Sequence, residues 1–272
     1  MKTKSDLADN VSVYFTENEI EKRKIINALM VDWKNEISKK APIIFKDDDV
    51  EYDTIEYFGS DGFLPNYYNQ ETKVLFIGRE ARDNSKNDFV EKLIKEFKKV
   101  TYIHKSIFWR RILYILYGIK KKGKVKFENI PNTSEIIKEM VENNNYGFAF
   151  MNISKYSNDS DNGGSADFKL INRFLVDTCI EKRNFIKEEI ELIDPDVIIT
   201  ANLWDGNIST DYLDLCFANK ELLSSINNKA TCYGLKINDR YIKLIDLWHF
   251  SKPGSDKENY FDPVIELLYK TK

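Results

Sequence analysis

The stretch VLFIG at residues 74–78 is a short, continuous apolar run that ends in a glycine. Runs of this kind are typical of strands that are buried on both faces of a sheet. Three further runs have a similar character, namely FAFM at residues 148–151, VIIT at residues 197–200 and IKLIDL at residues 242–247. Together the four runs predict four central strands.

Segments with a helical spacing of apolar residues separate these runs. They cover residues 89–97, 106–116, 134–142 and 168–192. Strands that alternate with helices favour a parallel sheet with helices on both faces. The sequence therefore predicts an α/β fold of three layers, α/β/α, around a central four-stranded, mostly parallel sheet.

The two ends of the chain complete the predicted organisation. A helix is expected at residues 16–40, a further strand at residues 231–237 that pairs with residues 242–247, and a last helix at residues 258–269. We expect residues 1–70 to form a helical and loop extension that packs on the core, and residues 71–272 to form the α/β domain.

The composition argues against membrane and disulfide-rich classes of protein. No apolar stretch approaches the roughly 20 residues of a membrane helix, and the polar residues 1–10 contain no signal-peptide core. Cys179, Cys216 and Cys232 are odd in number and far apart, which favours neither a disulfide framework nor a zinc site. We expect a cytoplasmic protein with buried thiols and no membrane partner, and the oligomeric state stays open.

Positive charge is concentrated in residues 91–126, although the net charge of the chain is only −3. This stretch holds twelve Lys or Arg against two acids. Such asymmetry can form a footprint for a polyanion such as DNA, with the phosphate backbone as the contact. The residues expected to make it are Arg110, Arg111, Lys120, Lys121 and Lys122. A solvated helix face with a lysine-rich loop is the simpler alternative.

Polar residues follow three of the four predicted strands. Glu80 stands just beyond the first, Asn152 directly after the second and His249 at the end of the last. In parallel sheets the carboxyl ends of the strands share one edge, which is where ligands bind. The sequence therefore predicts that the three side chains line one cleft.

Each of these residues has a chemical and a structural interpretation. The Glu80 carboxylate could orient water, or Asp83 could be the acid instead, or the acids could pair with Arg79 and Arg82. The Asn152 amide offers a donor and an acceptor to a base edge, but an asparagine at this place can also form a turn.

The two remaining candidates are cationic or titratable. Lys155 could meet a phosphate or pair with an acid. The His249 imidazole could donate to a developing oxyanion, or serve as an ordinary structural histidine.

Phosphate-binding, metal and serine-hydrolase motifs are not found in the sequence. There is no GxxxxGK[ST], no GxGxxG, no HExxH and no GxSxG. We expect no metal and no organic cofactor.

Taken in order, the strand-end motifs resemble those of the uracil-DNA glycosylase superfamily. Gly78-Arg79-Glu80 is similar to the glycine and acidic motif after the family's first strand, and residues 152–155 match its N-x-x-K pattern. His249-Phe250-Ser251 matches the family's His-Pro-Ser loop at two of three positions. The family's proline in the first motif is missing, Arg79 replaces a smaller residue, and Phe89 is a candidate for the aromatic on which the base stacks.

The resemblance implies a DNA glycosylase of this fold that acts in DNA repair by base flipping. Asn152 would read the base edge, with Gly78, Arg79, Phe89, Lys155 and Ser251 around the base. His249 would donate to the departing base, and Glu80 would orient water. Two alternatives stay open: a catalytically inactive binding protein of the same fold, which Arg79 favours if it fills the pocket, and an unrelated α/β hydrolase or nucleotide-processing enzyme.

Overall fold

The computed structural model describes residues 13–39, 44–47, 50–53, 56–82, 84, 87–99, 103–158, 166–178, 183–203 and 211–270. Its α-helices are α1 (Glu17–Ser38), α2 (Phe89–Lys98), α3 (Ile107–Lys120), α4 (Thr133–Glu142), α5 (Phe168–Asp177), α6 (Phe185–Ile193), α7 (Tyr212–Cys216) and α8 (Asp262–Tyr269). Short 3-10 turns cover Ile103–Lys105 and Phe127–Asn129, and a π-helical segment, Asp256–Phe261, leads into α8.

The strands form one large sheet and one hairpin. The hairpin pairs β1 (Ile44–Asp47) with β2 (Val50–Asp53). The sheet contains β3 (Gly62–Phe63), β4 (Val74–Arg82), β5 (Ala149–Asn158), β6 (Val197–Ala201), β7 (Glu221–Ile226), β8 (Ala230–Ile237) and β9 (Arg240–Leu247). Its strand order is β3-β5-β4-β6-β9-β8-β7.

The four strands predicted from apolar runs form the parallel centre of this sheet. β5, β4, β6 and β9 pair in parallel, in that order. The α/β class is therefore confirmed. The predicted count of four strands is wrong for the described part of the chain, because β3 adds an antiparallel strand at one edge and β8 and β7 add two at the other.

The hairpin of β8 and β9 forms where the sequence predicts it. Asn238 and Asp239 at its turn both have positive φ, 47° and 60°. Positive φ at both central residues is the signature of a type I′ turn, which matches the twist of paired strands.

Helices cover both faces of the sheet. On one face, the Phe150 ring of β5 lies 5.4 Å from Trp109 of α3 and 5.2 Å from Phe89 of α2. On the other, Trp33 of α1 stacks on Phe185 of α6 at 5.2 Å and contacts Phe174 of α5 at 5.5 Å. Continuous burial on both sides explains why the central strands are apolar throughout.

No helix in the described part of the chain is both long and apolar enough to cross a bilayer. Cys216 and Cys232 are free thiols, and Cys179 lies outside the described residues.

Candidate functional site

Gly78 and Asn152 face each other across the pairing of β4 with β5. A Cβ on Gly78 would lie 2.6 Å from Asn152 Oδ1 and 3.3 Å from Phe150 Cζ. The glycine therefore leaves the space in which the Asn152 amide lies over the sheet. Asn152 is only 3% exposed. Among the residues that the structure describes, none hydrogen-bonds its side-chain amide.

A buried charge network holds the backbone of Asn152. The Asn152 N–H donates to Asp61 Oδ2 at 2.7 Å, and Lys155 Nζ donates to the Asn152 carbonyl at 2.9 Å. Lys155 also pairs with Asp61 Oδ1 at 2.6 Å and with Glu189 Oε2 at 2.7 Å. Asp61, just before β3, and Lys155 of β5 thus hold the N–H and the carbonyl of Asn152, and Glu189 of α6 pairs with Lys155 in turn.

The network corrects the prediction that Lys155 contacts a ligand. Its side chain is 1% exposed, and its ammonium group is used by two carboxylates and a carbonyl. Burial lowers the pKa of Lys155, but Asp61 and Glu189 outweigh it and raise that pKa above its ordinary value. Burial and the neighbouring Asp61 raise the pKa of Glu189 well above its usual range.

His249 follows β9 at the same edge of the sheet and is held by its own loop. The Ser251 N–H donates to His249 Nδ1 at 3.2 Å, so the ring proton belongs on Nε2. Burial lowers the pKa of His249 from 6.5 to about 4, and the nearby Arg79 and Arg82 add to the effect. At neutral pH the imidazole is therefore uncharged and carries an Nε2–H donor. No residue in the described ranges accepts a hydrogen bond from it.

Aromatic rings connect His249 with Asn152. The Phe108 ring lies 5.6 Å from the His249 ring and 6.1 Å from Phe150, two residues before Asn152. Phe89, the candidate for the aromatic that stacks on a base, lies 5.2 Å from Phe150. We call the group Gly78, Phe108, Phe150, Asn152 and His249 the rim site. It combines an amide, a neutral imidazole donor and flat apolar walls.

Glu80 is placed differently from the prediction. Its carboxylate accepts from Asn158 Nδ2 at 3.1 Å and from the Asp167 N–H at 3.2 Å, and it lies 3.7 Å from Arg82. The side chain is 5% exposed, and burial raises its pKa. Glu80 therefore joins the end of β5 to the start of α5, and the structure favours the ion-pair alternative. Asp83 lies outside the described residues.

Arg79 does not occupy the space above Gly78. Successive residues of a strand point to opposite faces. The Arg79 side chain accordingly donates from Nε to the Asn202 carbonyl at 2.7 Å and lies 5.2 Å from the Phe168 ring.

Arg110 and Arg111 are committed to contacts within the protein. Arg110 pairs with Asp256 at 2.6 Å. Arg111 is 2% exposed and donates to the backbone of the loop that carries His249. The prediction that Arg111 contacts a nucleic-acid backbone is therefore corrected. Ser251 contacts His249 through its backbone N–H, and its side chain is exposed.

Lys120, Lys121 and Lys122 lie at the far end of α3 from the rim site. Phe108 in the first turn of α3 contacts His249, whereas Lys122 pairs with Glu71, just before β4 begins. A helix of 14 residues is about 21 Å long. The lysine run is thus at the amino ends of the parallel strands and separate from the site.

No group of three or more His, Cys, Asp or Glu side chains within the described ranges is arranged to hold a metal ion. Comparison of the chain with family models, curated proteins and solved structures found no match. The geometry of the site is therefore the basis for a functional proposal.

Proposed function

We propose that the rim site binds a nucleobase and that the protein is a DNA glycosylase-like enzyme, which hydrolyses the N-glycosidic bond of uracil or another modified base. The proposal is carried by two groups that the Phe108 and Phe150 rings connect. One is the Asn152 amide, which has no hydrogen bond among the described residues. The other is a neutral His249 that carries an Nε2–H donor. The strand-end resemblance to uracil-DNA glycosylases supports the same assignment.

The chemistry assigned to His249 is hydrogen-bond donation without proton transfer. When the bond between the sugar C1′ and the base nitrogen breaks, the electron pair leaves with the base as an anion. A neutral imidazole that donates to a base oxygen stabilises this charge as it develops. Water then adds to C1′ and releases a proton to solvent. The base anion takes up a proton from solvent.

The burial of the site bears on how a base would enter it. Asn152 is 3% exposed, so its amide is out of reach of a base stacked in a duplex. The target nucleotide would therefore leave the stack before it is read. The half-buried Phe108 ring offers a flat surface to one of its faces.

A second candidate is a binding protein that recognises a base without cleaving it. The position of Glu80 favours this alternative, because its carboxylate is occupied by Asn158 and the Asp167 N–H.

The experiment is a single-turnover assay with oligonucleotides that each carry one modified base. His249→Ala is expected to slow base release by roughly 10²–10³, as for other donors to developing negative charge. Ser251→Ala is the matched control, because it keeps the N–H that donates to His249 and should leave the rate unchanged. Titration of His249 should not change the wild-type rate between pH 5 and pH 8, since the pKa of His249 is about 4.

Two results would refute the glycosylase proposal. One is an active protein whose rate survives His249→Ala. The other is tight, base-selective binding with no release of any base, which would establish the binding protein instead.

A further inference from the structure

The backbone of residues 249–254, which we call the His249 loop, is held by one buried arginine. Arg111 Nη1 donates to the carbonyls of Phe250 and Lys252, both at 2.6 Å, and Nη2 donates to that of Gly254 at 2.9 Å. Its Nε donates to Asp256 Oδ1 at 2.8 Å. Three hydrogen bonds from one planar group thus hold the backbone of the loop, and a fourth holds Asp256 just beyond it.

Tyr260 also holds this loop. The single proton of its hydroxyl is shared between the carbonyl of Lys252, at 2.8 Å, and that of His249, at 3.1 Å. The Arg111 guanidinium lies over the Tyr260 ring, 3.8 Å from its centroid. The two side chains therefore form one unit that contacts four carbonyls of the loop, those of His249, Phe250, Lys252 and Gly254.

We infer that Arg111 and Tyr260 are positioning residues for His249, which hold the loop in the conformation where the Ser251 N–H faces His249 Nδ1. The contact with Ser251 depends on the course of residues 249–251, and the carbonyls of His249 and Phe250 are the groups that this pair binds. Arg111 and Tyr260 thus determine where the Nε2–H donor of the rim site lies, without touching a ligand themselves.

The charge and shape of arginine suit this role. A buried cation is costly unless it is paired and hydrogen-bonded, and Asp256 and the Tyr260 ring meet that requirement. Lysine has a point charge with three donors, whereas the guanidinium fork has five donors in a plane. Arg111→Lys therefore keeps the charge but loses the simultaneous hold on three carbonyls.

Tyr260→Phe is the more conservative test, because it removes only the hydroxyl and keeps the ring beneath Arg111. Long-range ¹H–¹⁵N spectra of the imidazole nitrogens report both tautomer and pKa. The chain has two histidines, so a His104→Gln background leaves His249 as the only imidazole. The unmodified loop should show the Nε2–H tautomer and a pKa of about 4.

In Tyr260→Phe, and more strongly in Arg111→Lys, the pKa of His249 should move back towards its ordinary value of 6.5. The Nδ1–H tautomer should appear alongside, because the loop no longer holds the Ser251 N–H in place. Arg79 and Arg82, the cations that help to lower the pKa of His249, are unchanged in both variants. Base release should lose about tenfold in kcat, part of the effect of removing such a donor outright, with KM nearly unchanged.

Tyr269→Phe is the matched control, since its hydroxyl donates to the Ile119 carbonyl at the other end of α3, at 3.2 Å. It should leave the His249 spectrum as it is. Folded Tyr260→Phe and Arg111→Lys proteins with an unaltered His249 spectrum would overturn the inference.

The kinetic part of this inference rests on the proposed function, but the spectroscopic part does not. Loss of the His249 tautomer in a protein that releases no base would support the positioning role and refute the glycosylase. An active enzyme with an unaltered His249 spectrum in both variants would support the glycosylase and refute the positioning role.

Discussion

At the scale of single residues, Gly78 determines whether the Asn152 amide can lie over the sheet. The two residues are direct neighbours in the pairing of β4 with β5. The atom that an added Cβ would meet is the end of the Asn152 side chain, at 2.6 Å. Function is therefore expected to be more sensitive than stability to a methyl group at this position.

Gly78→Ala tests this directly. Base release, or base binding, should fall at least about tenfold, as the displaced amide loses its hydrogen bonds to the ligand. The free energy of unfolding should change by less than about 1 kcal/mol, because the lower entropy of alanine in the unfolded chain offsets part of the contact's cost. Urea unfolding alongside the base assay separates the two effects, and full activity in the variant would contradict the assigned place of Asn152.

The prediction that polar residues follow the strands holds for His249, which lies just beyond β9. It is wrong for Glu80 and Asn152, because β4 and β5 continue past their apolar runs and contain these residues. Buried cations were not open to prediction. Lys155 and Arg111 look like surface residues, because lysine and arginine are rarely fully buried. Their partners, Asp61 and Glu189 for one and three carbonyls for the other, come from distant segments that no local pattern connects.

At the scale of elements, the central strands were predictable because burial on both faces leaves a continuous apolar run. β3 has two residues, which is too short for any periodicity. β7 has no buried residue along its length, so it shows no alternation of core and solvent positions. β3 nevertheless directly follows Asp61, whose carboxylate accepts from the backbone N–H of Asn152 in the middle of β5.

Lys155→Met is expected to destabilise the protein strongly. It leaves two buried carboxyl groups without their cation, and breaking a buried pair in this way typically costs about 3–5 kcal/mol. Lys138→Met is the control, because Lys138 lies on the surface and its ion pair with Glu142, at 3.8 Å, is exposed. Its cost should be under about 1 kcal/mol. Equal unfolding midpoints for the two variants would show that the network contributes little.

At the scale of the whole molecule, the basic stretch is divided between two ends of the structure. α3 begins at the rim site and ends at Lys120, about 21 Å away. Lys252, by contrast, lies in the His249 loop with its ammonium group 4.2 Å from the centroid of Trp248. The concentration of positive charge in residues 91–126 therefore did not identify the surface around the rim site.

The salt dependence of DNA binding should follow this division. Reversal of Lys120, Lys121 and Lys122 to Glu should leave the slope of log K against log salt unchanged, because these lysines face away from the site. Lys252→Glu should reduce the slope by about one, as expected for one phosphate contact. A slope that flattens only in the triple variant would place the DNA on the opposite end of the molecule.

One helix end supplies both a wall of the rim site and the support of its donor. Phe108 and Arg111 are three residues apart on α3, so they lie on neighbouring positions of one face. A ligand that fits badly against Phe108 would shift the start of α3, and with it the carbonyls that Arg111 holds. Discrimination between ligands would then be expressed in the rate of turnover as much as in affinity, because a poor fit also misaligns the group that stabilises the leaving base.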